Sequence, residues 1–267
     1  MKVGLILYGV KPMDCINKKD TALYNVVDYT INHWKEYILN VNKDIDVFVH
    51  SWSLEYENVV IENYKPKKYI FEKQKQFKSN INTNFLKQTT MYNNLNNEQI
   101  IRSKYYSMCK AINLLNEYEI EKNIKYDVIL ISRMDLLWFN PIELNKINPN
   151  YIYTSNWNYA YDKYKCRNLM YNNKLLPLDH FFIMNSIDIK VFGNLFNELD
   201  SYIHHQNPHS IIVEFLYDKK LWEKHKTIFH TFYDHLLLRT VFSNCGNITD
   251  EWKDYDPKKQ REKIIYS

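Results

Sequence analysis

Two opposite charges separated by one residue, Arg133 and Asp135, close the apolar run Tyr126-Asp-Val-Ile-Leu-Ile-Ser-Arg-Met-Asp-Leu-Leu-Trp138. A run of this length, rich in β-branched residues, predicts a strand buried on both faces, the kind found in parallel sheets covered by helices. Side chains alternate along a strand, so Arg133 and Asp135 leave on one side and Met134 on the other. The C-terminal end of such a strand is where ligands sit in open α/β sheets, and a guanidinium there can grip an anion through two parallel hydrogen bonds. The alternative is an ion pair between the two at a solvated strand end, which stabilises little.

Other polar residues fall at predicted strand ends or on helices that lead to them. Tyr8, Gly9, Val10 and Lys11 follow the first strand; Gly9 permits close backbone approach and Lys11 can meet phosphate, the alternative being an ordinary turn with a surface Lys. The second strand ends in His50, Ser51 and Trp52, and the third in Glu72. Ser107 and Lys110 lie one helical turn apart before the Arg133 strand, either reaching the same ligand or forming a solvated helix face. Asp179 precedes the apolar run Phe181 to Met184, and Glu214 stands between Val213 and Phe215 on an otherwise apolar helix. A turn or capping carboxylate and a buried structural ion pair are the respective alternatives.

The scaffold that positions these residues reads as alternating strand and helix. Lys2 to Gly9 predicts a strand, Val10 to Asp20 a polar loop, and Ala22 to Asn40 a helix with Val26, Val27, Tyr29, Ile31, Trp34 and Ile38 as its buried stripe. Asp46 to Ser51 predicts a strand, Glu55 to Asn63 a short helix and Lys68 to Glu72 a third strand, a rhythm that builds a parallel sheet with right-handed crossovers. Lys73 to Asn97 is polar and Asn-rich, and a helix follows from Glu98 to Tyr118. Beyond Asn150 the pattern loosens to short apolar runs, helices near Ile187 to His204 and His209 to Leu221, and a closing strand pair at Thr227 to Phe232 and His235 to Val241. No Gly-, Ser- or Pro-rich linker divides the chain, so the expectation is one domain.

Composition removes several classes. Four glycines, at 4, 9, 193 and 246, cannot supply G-x-G-x-x-G or a phosphate-cradling P-loop. Neither H-E-x-x-H, G-x-S-x-G nor a paired Cys/His zinc spacing occurs. Cys15, Cys109, Cys166 and Cys245 are far apart and read as reduced thiols. A net charge of +4, from 35 basic and 31 acidic residues, gives no strong field for nucleic acid, and no apolar stretch is long enough for a transmembrane helix. The expected location is therefore the cytoplasm, with an AT-rich genome behind the Asn, Lys, Ile and Tyr usage. His204, His205 and His209 read as a solvated cluster, Trp157, Tyr159, Tyr161 and Tyr164 as an aromatic loop able to stack on a sugar, and Lys258, Lys259, Arg261 and Lys263 as a basic tail.

A set of segments in one order carries a resemblance: Val3-Gly-Leu-Ile-Leu-Tyr-Gly9, Asp46-Val-Phe-Val-His-Ser-Trp52, Pro66-Lys-Lys-Tyr-Ile-Phe-Glu72, Tyr106-Ser-Met-Cys-Lys-Ala111, Lys125-Tyr-Asp-Val-Ile-Leu-Ile-Ser-Arg-Met-Asp135 and Asp179-His-Phe-Phe-Ile-Met-Asn-Ser186. Together they span roughly the first 190 residues and resemble a family of viral and bacterial glycosyltransferases of the GT-A type, with Arg-x-Asp where that family has Asp-x-Asp. The resemblance implies an α/β fold, GT-A-like (Rossmann-like), with a mostly parallel central sheet flanked by helices and a less regular C-terminal half. Residues 1–140 would form the nucleotide-sugar half, 141–255 the acceptor side and 256–267 the basic tail. The implied reaction moves a sugar from a nucleotide-diphosphate sugar to a glycan or other hydroxyl acceptor.

In that resemblance the donor lies against Tyr8, Gly9, Val10, Lys11, Ser107, Lys110, Arg133, Asp135 and Arg239, with Asp135 holding Mn2+ or Mg2+ on the diphosphate. Arg133, at the position of the first acidic residue, can instead grip the diphosphate and take over part of the metal's work. Arg239 can approach the diphosphate or serve as a structural cation. Asp179, or secondly Glu214, is the implied base for the acceptor hydroxyl. Two rivals share the sheet: a sugar nucleotidyltransferase, and a non-catalytic protein that binds carbohydrate or nucleotide-sugar.

Overall fold

The structure, a computed structural model, describes residues 1–9, 15–16, 23–24, 26–77, 95–156, 170–171, 174–175, 177–203, 208–230 and 235–237. Its centre is a seven-stranded mixed sheet. In chain order the strands are β1 (Val3–Gly9), β2 (Asp46–Ser51), β3 (Lys68–Phe71), β4 (Val128–Arg133), β5 (Ile152–Asn156), β6 (Pro177–Met184) and β7 (His225–His230). They lie side by side as β3-β2-β1-β4-β6-β5-β7. Every pairing is parallel except those of β6, which runs against both β4 and β5.

This order follows from the burial demanded by the sequence. The β1 run VGLILYG and the β4 run VILISR are buried at every position, so both need neighbours on each edge and helices on each face. Burying each large aliphatic side chain contributes roughly 1.5–3 kcal/mol, which makes these strands the least replaceable part of the sheet. On one face pack α1 (Val26–Trp34) and α2 (Glu57–Tyr64), whose Ile31, Trp34, Val60 and Tyr64 meet Leu5, Leu7, Val49 and Leu130. The other face is covered by α3 (Leu95–Lys122), α4 (Ser186–Phe192) and α5 (Pro208–Asp218). In α3 the buried residues Ile101, Tyr105, Met108, Ile112 and Leu115 recur at three- and four-residue steps, the spacing of one helix face.

Several local expectations change. The loop predicted over Val10 to Asp20 contains a two-residue strand, Cys15–Ile16, paired with Leu23–Tyr24, so the following helix starts at Val26 and not at Ala22. That helix continues as a π-helical turn, Lys35–Leu39. The run Tyr126 to Trp138 is not one strand: it turns at Met134 and Asp135, and Leu136–Trp138 pairs antiparallel with His235–Leu237. The predicted closing strands therefore do not pair with each other, because β7 joins the sheet edge beside β5. The helix expected over Ile187 to His204 ends at Phe192, with turns and a 3-10 segment, Leu199–Ser201, after it. Among the described residues no helix is long and apolar enough to cross a membrane.

Candidate active site

Strands β1, β2 and β3 step outward on one side of β1, and α3 then carries the chain back to β4 on its other side. This reversal is a topological switch point, and in open α/β sheets ligands sit beyond the C-terminal strand ends at such a point, here those of β1 and β4. Tyr8 and Arg133 are register partners there, so their side chains stand on the same face, the one covered by α3 and α5. The antiparallel β6 lies on the far side of β4 with Phe181 opposite Ser132. Its N-terminal residues, including Asp179, thus reach the same edge of the sheet. One reversed strand delivers a carboxylate to the place where β1 and β4 end.

Arg133 and Asp135 form a two-pronged ion pair: Arg133 Nε donates to Asp135 Oδ1 at 2.8 Å and a terminal nitrogen donates to Oδ2 at 2.6 Å. The alternative reading, an ion pair at a solvated strand end, is half met: the two residues do pair, yet their side chains are only 8% and 13% exposed. The turn explains how both charges converge, since Asp135 lies past the strand and folds back toward the guanidinium. Met134 faces the α1 side, its carbonyl accepting from the Trp34 indole at 3.2 Å, and its amide extends the ladder by donating to the Tyr8 carbonyl at 3.1 Å. Gly9 lies close against this turn: a Cβ there would stand 3.1 Å from the Met134 methyl, which would have to shift by a few tenths of an ångström.

Asp179 is buried, and its carboxylate is gripped by Lys104 of α3 and approached by His209 of α5. Lys104 Nζ also donates to the Asp179 carbonyl at 3.1 Å, the same oxygen that the Tyr8 hydroxyl meets at 3.4 Å. Strict alternation from Phe181 and Ile183 would send Asp179 toward α1. The pairing of β6 with β5 breaks register between Leu178 and Ile183, the kind of irregularity that re-aims a side chain, and the carboxylate meets the α3 layer instead. His209 Nδ1 lies 3.1 Å from Asp179 Oδ1 and 3.2 Å from the Asp179 amide nitrogen. A neutral imidazole satisfies only one of these: Nδ1 unprotonated accepts from the amide, or Nδ1–H donates to the carboxylate. Burial, then Lys104 and Arg133 as cationic neighbours, pulls the His209 imidazole down to about 3, so it is neutral at ordinary pH.

A second polar chain occupies the end of β2. Ser107 Oγ lies 2.8 Å from His50 Nδ1, His50 Nε2 is 3.0 Å from Glu72 Oε1, and Glu72 Oε2 is 3.1 Å from Lys75 Nζ. Burial holds the His50 imidazole below its ordinary value against the opposing pull of Glu72. Burial alone would raise Glu72, but hydrogen bonds from His50 and Lys75 outweigh it and the carboxyl is lowered. Trp52 stacks on Tyr106 with ring centroids 5.3 Å apart and closes the edge of this chain against His50.

The structure thus brings Tyr8, Gly9, Arg133, Asp135 and Asp179 to one edge of the sheet. Ser107, expected with them, bonds only to His50 among the described residues, and Lys110 lies 5.5 Å over the Tyr106 ring. Glu214 is half-buried on α5; five residues on from His209, it leaves the helix about 140° away around the axis. Val10, Lys11 and Arg239 lie outside the described residues, as do His204, His205, the aromatic loop and the basic tail. Of the cysteines, Cys109 is buried and free on α3, and burial pushes its thiol up to about 12.

Sequence reasoning missed Lys104 and misread His209. Lys104 had a signal: it sits three residues after Ile101 and four before Met108, so helical spacing puts a cation on the buried stripe of α3. The solvated-cluster reading of His209 is corrected by its place between Asp179 and two cations. Nothing local in the sequence reveals that contact, since α5 and β6 meet only through the fold.

A divalent cation fits these side chains poorly. Both oxygens of Asp135 accept from Arg133, and the Asp179 carboxylate is held between Lys104 and His209, so a cation at either would face a buried positive charge. Among the described residues no group of three or more His, Cys, Asp or Glu side chains could hold a metal ion. Comparison of the chain with protein-family models found no match, and none was found among curated proteins.

Proposed function

We propose that the protein is a glycosyltransferase of the GT-A type that takes its sugar from a nucleotide-diphosphate donor. The observation that carries this reading is the convergence of Arg133, Lys104 and Tyr8 at the C-terminal ends of β1 and β4, where two buried cations, each paired with a carboxylate, lie at the ligand end of a mostly parallel sheet. Guanidinium and ammonium groups are the side chains suited to phosphate oxygens, the first by its fork and the second as a point charge. The ordered segments named above, from β1 through β6, supply the resemblance that selects sugar transfer among reactions of phosphorylated ligands.

In this reading the diphosphate lies over Arg133, with Asp135 orienting the guanidinium, and the nucleoside lies against Tyr8 and Gly9. Asp179 borders the acceptor hydroxyl. To accept its proton, Asp179 or His209 has to be released from the contact between them when the acceptor arrives. Mn2+ or Mg2+, if used by the enzyme, would neutralise charge on the leaving diphosphate; the present side chains supply positive charge of their own. Binding of a nucleotide-sugar without turnover is the second reading, favoured by the grip of Lys104 on Asp179.

Incubating the protein with UDP- and GDP-sugars and measuring free nucleoside diphosphate tests the proposal. Slow donor hydrolysis, quickened by a glycan acceptor, is expected. Binding without release of nucleotide would select the second reading, and the absence of both would refute donor recognition altogether.

A further inference from the structure

We propose that Arg133 and Lys104 together hold the nucleoside diphosphate without a divalent cation, an inference that rests on the donor reading above. The two cations come from different layers, Arg133 from the end of β4 and Lys104 from the inward face of α3. Their side chains are 8% and 5% exposed. Tyr8 links them: its backbone is paired with Arg133 across β1 and β4, and its hydroxyl shares the Asp179 carbonyl with Lys104 Nζ. Both cations also act on His209, lowering its imidazole after burial has done so.

Packing does not account for Lys104. It interrupts an apolar stripe at a position where a Leu or Met would join Ile101, Tyr105 and Met108 in the core. Buried ion pairs are commonly no better for stability than apolar residues of the same size, because removing both charges from water offsets their attraction. A buried Lys–Asp pair beside a buried Arg–Asp pair, both at the ligand end of a switch point, is therefore better explained by binding than by folding.

The donor geometry suits a diphosphate. The Arg133 guanidinium has five N–H donors, of which Asp135 takes two, and its plane can present a parallel pair to two oxygens of one phosphate. Lys104 contributes a compact charge for the neighbouring phosphate or the bridging oxygen. When the ligand enters, its oxygens join Asp135 around the guanidinium and take the place of the Asp179 carboxylate at Lys104, which turns that carboxylate toward the acceptor hydroxyl. A metal in the same volume would need carboxylate oxygens that Arg133 and Lys104 already engage, whereas diphosphate oxygens are acceptors for the N–H groups that both cations carry.

Titration calorimetry with UDP and GDP, each in EDTA and in Mn2+, tests this on the wild-type chain without any substitution. Affinity in EDTA is expected to stay within threefold of that in Mn2+. Two variants locate the effect: R133Q, and the double variant K104M/D179N, which removes both charges of the buried pair so that neither is orphaned. Each is expected to weaken binding in EDTA at least tenfold, with thermal melting confirming a folded chain. Binding that appears only with Mn2+ would overturn the inference and leave donor recognition standing. A folded K104M/D179N that binds UDP and GDP as the wild type does would remove Lys104 from the site, and no binding in either buffer would overturn the donor reading with it.

Discussion

Acidification should destabilise this protein through His209, by an amount the structure sets. In the folded chain the imidazole is held at about 3 by burial and by Lys104 and Arg133; in the unfolded chain it returns to the ordinary value of 6.5. Above 6.5 neither state is protonated there and the group contributes nothing to the pH dependence. As pH falls below 6.5 the unfolded chain gains a proton that the folded chain refuses, so stability is lost progressively until about pH 3. One pH unit within that window is worth about 1.36 kcal/mol, so going from pH 7 to 4.5 costs at most about 2.5 kcal/mol and, with residual solvent access at His209, about 2 kcal/mol. Asp179 from β6 contacts the ring, Lys104 from α3 and Arg133 from β4 act on it through their charge, and the two cations keep that charge across this range. His50, lowered in the same direction, adds to the total loss. Substituting His209 by Gln isolates its share. Urea denaturation followed by tryptophan fluorescence at pH 7, 5.5 and 4.5 should give the wild type about 2 kcal/mol more loss than H209Q. Equal losses in the two proteins, within about 0.5 kcal/mol, would refute the buried neutral placement of the ring.

Two further perturbations read the same framework. Replacing Lys104 alone by Met leaves Asp179 buried without its main partner and should cost about 3–5 kcal/mol, whereas K104M/D179N should lie close to wild type; additive losses in the denaturation cycle would show that the pair is not coupled. Asn42 ties the π-helical turn to the segment after Trp138, donating to the Ile38 and Ile142 carbonyls at 2.7 and 2.6 Å and accepting from the Leu144 amide at 2.7 Å. Asn42→Ala leaves these groups without their bonds and should cost about 2–4 kcal/mol, a loss under about 0.5 kcal/mol in urea denaturation counting against the bridging role.

The strands that build the switch point were legible because their signal is local. The apolar runs at Val3 to Gly9, Asp46 to Ser51 and Val128 to Arg133 each declare a buried strand, and the helical stripes between them force parallel crossovers. Arg133 stood out for the same reason, as a charge ending an apolar run. Direction was not legible: the run Phe181 to Met184 reads as a strand in either orientation, and only its antiparallel pairing with β4 carries Asp179 to the C-terminal ends of β1 and β4. Nor was the turn at Met134 and Asp135, since it has no Gly or Pro and interrupts a run that stays apolar through Trp138. The partners of Asp179 are 75 residues upstream and 30 residues downstream of it, separations at which one sequence carries no pairing information.

The central claim is that a nucleoside diphosphate binds across the ends of β1 and β4. Its most direct test is a crystal structure of the protein soaked with UDP or GDP at concentrations that saturate the calorimetric titration. The account predicts diphosphate oxygens within hydrogen-bond distance of the Arg133 guanidinium and Lys104 Nζ, with the nucleoside against Tyr8 and Gly9. A nucleotide bound elsewhere on the sheet, with the Arg133–Asp135 and Lys104–Asp179 pairs undisturbed and out of its reach, would contradict it.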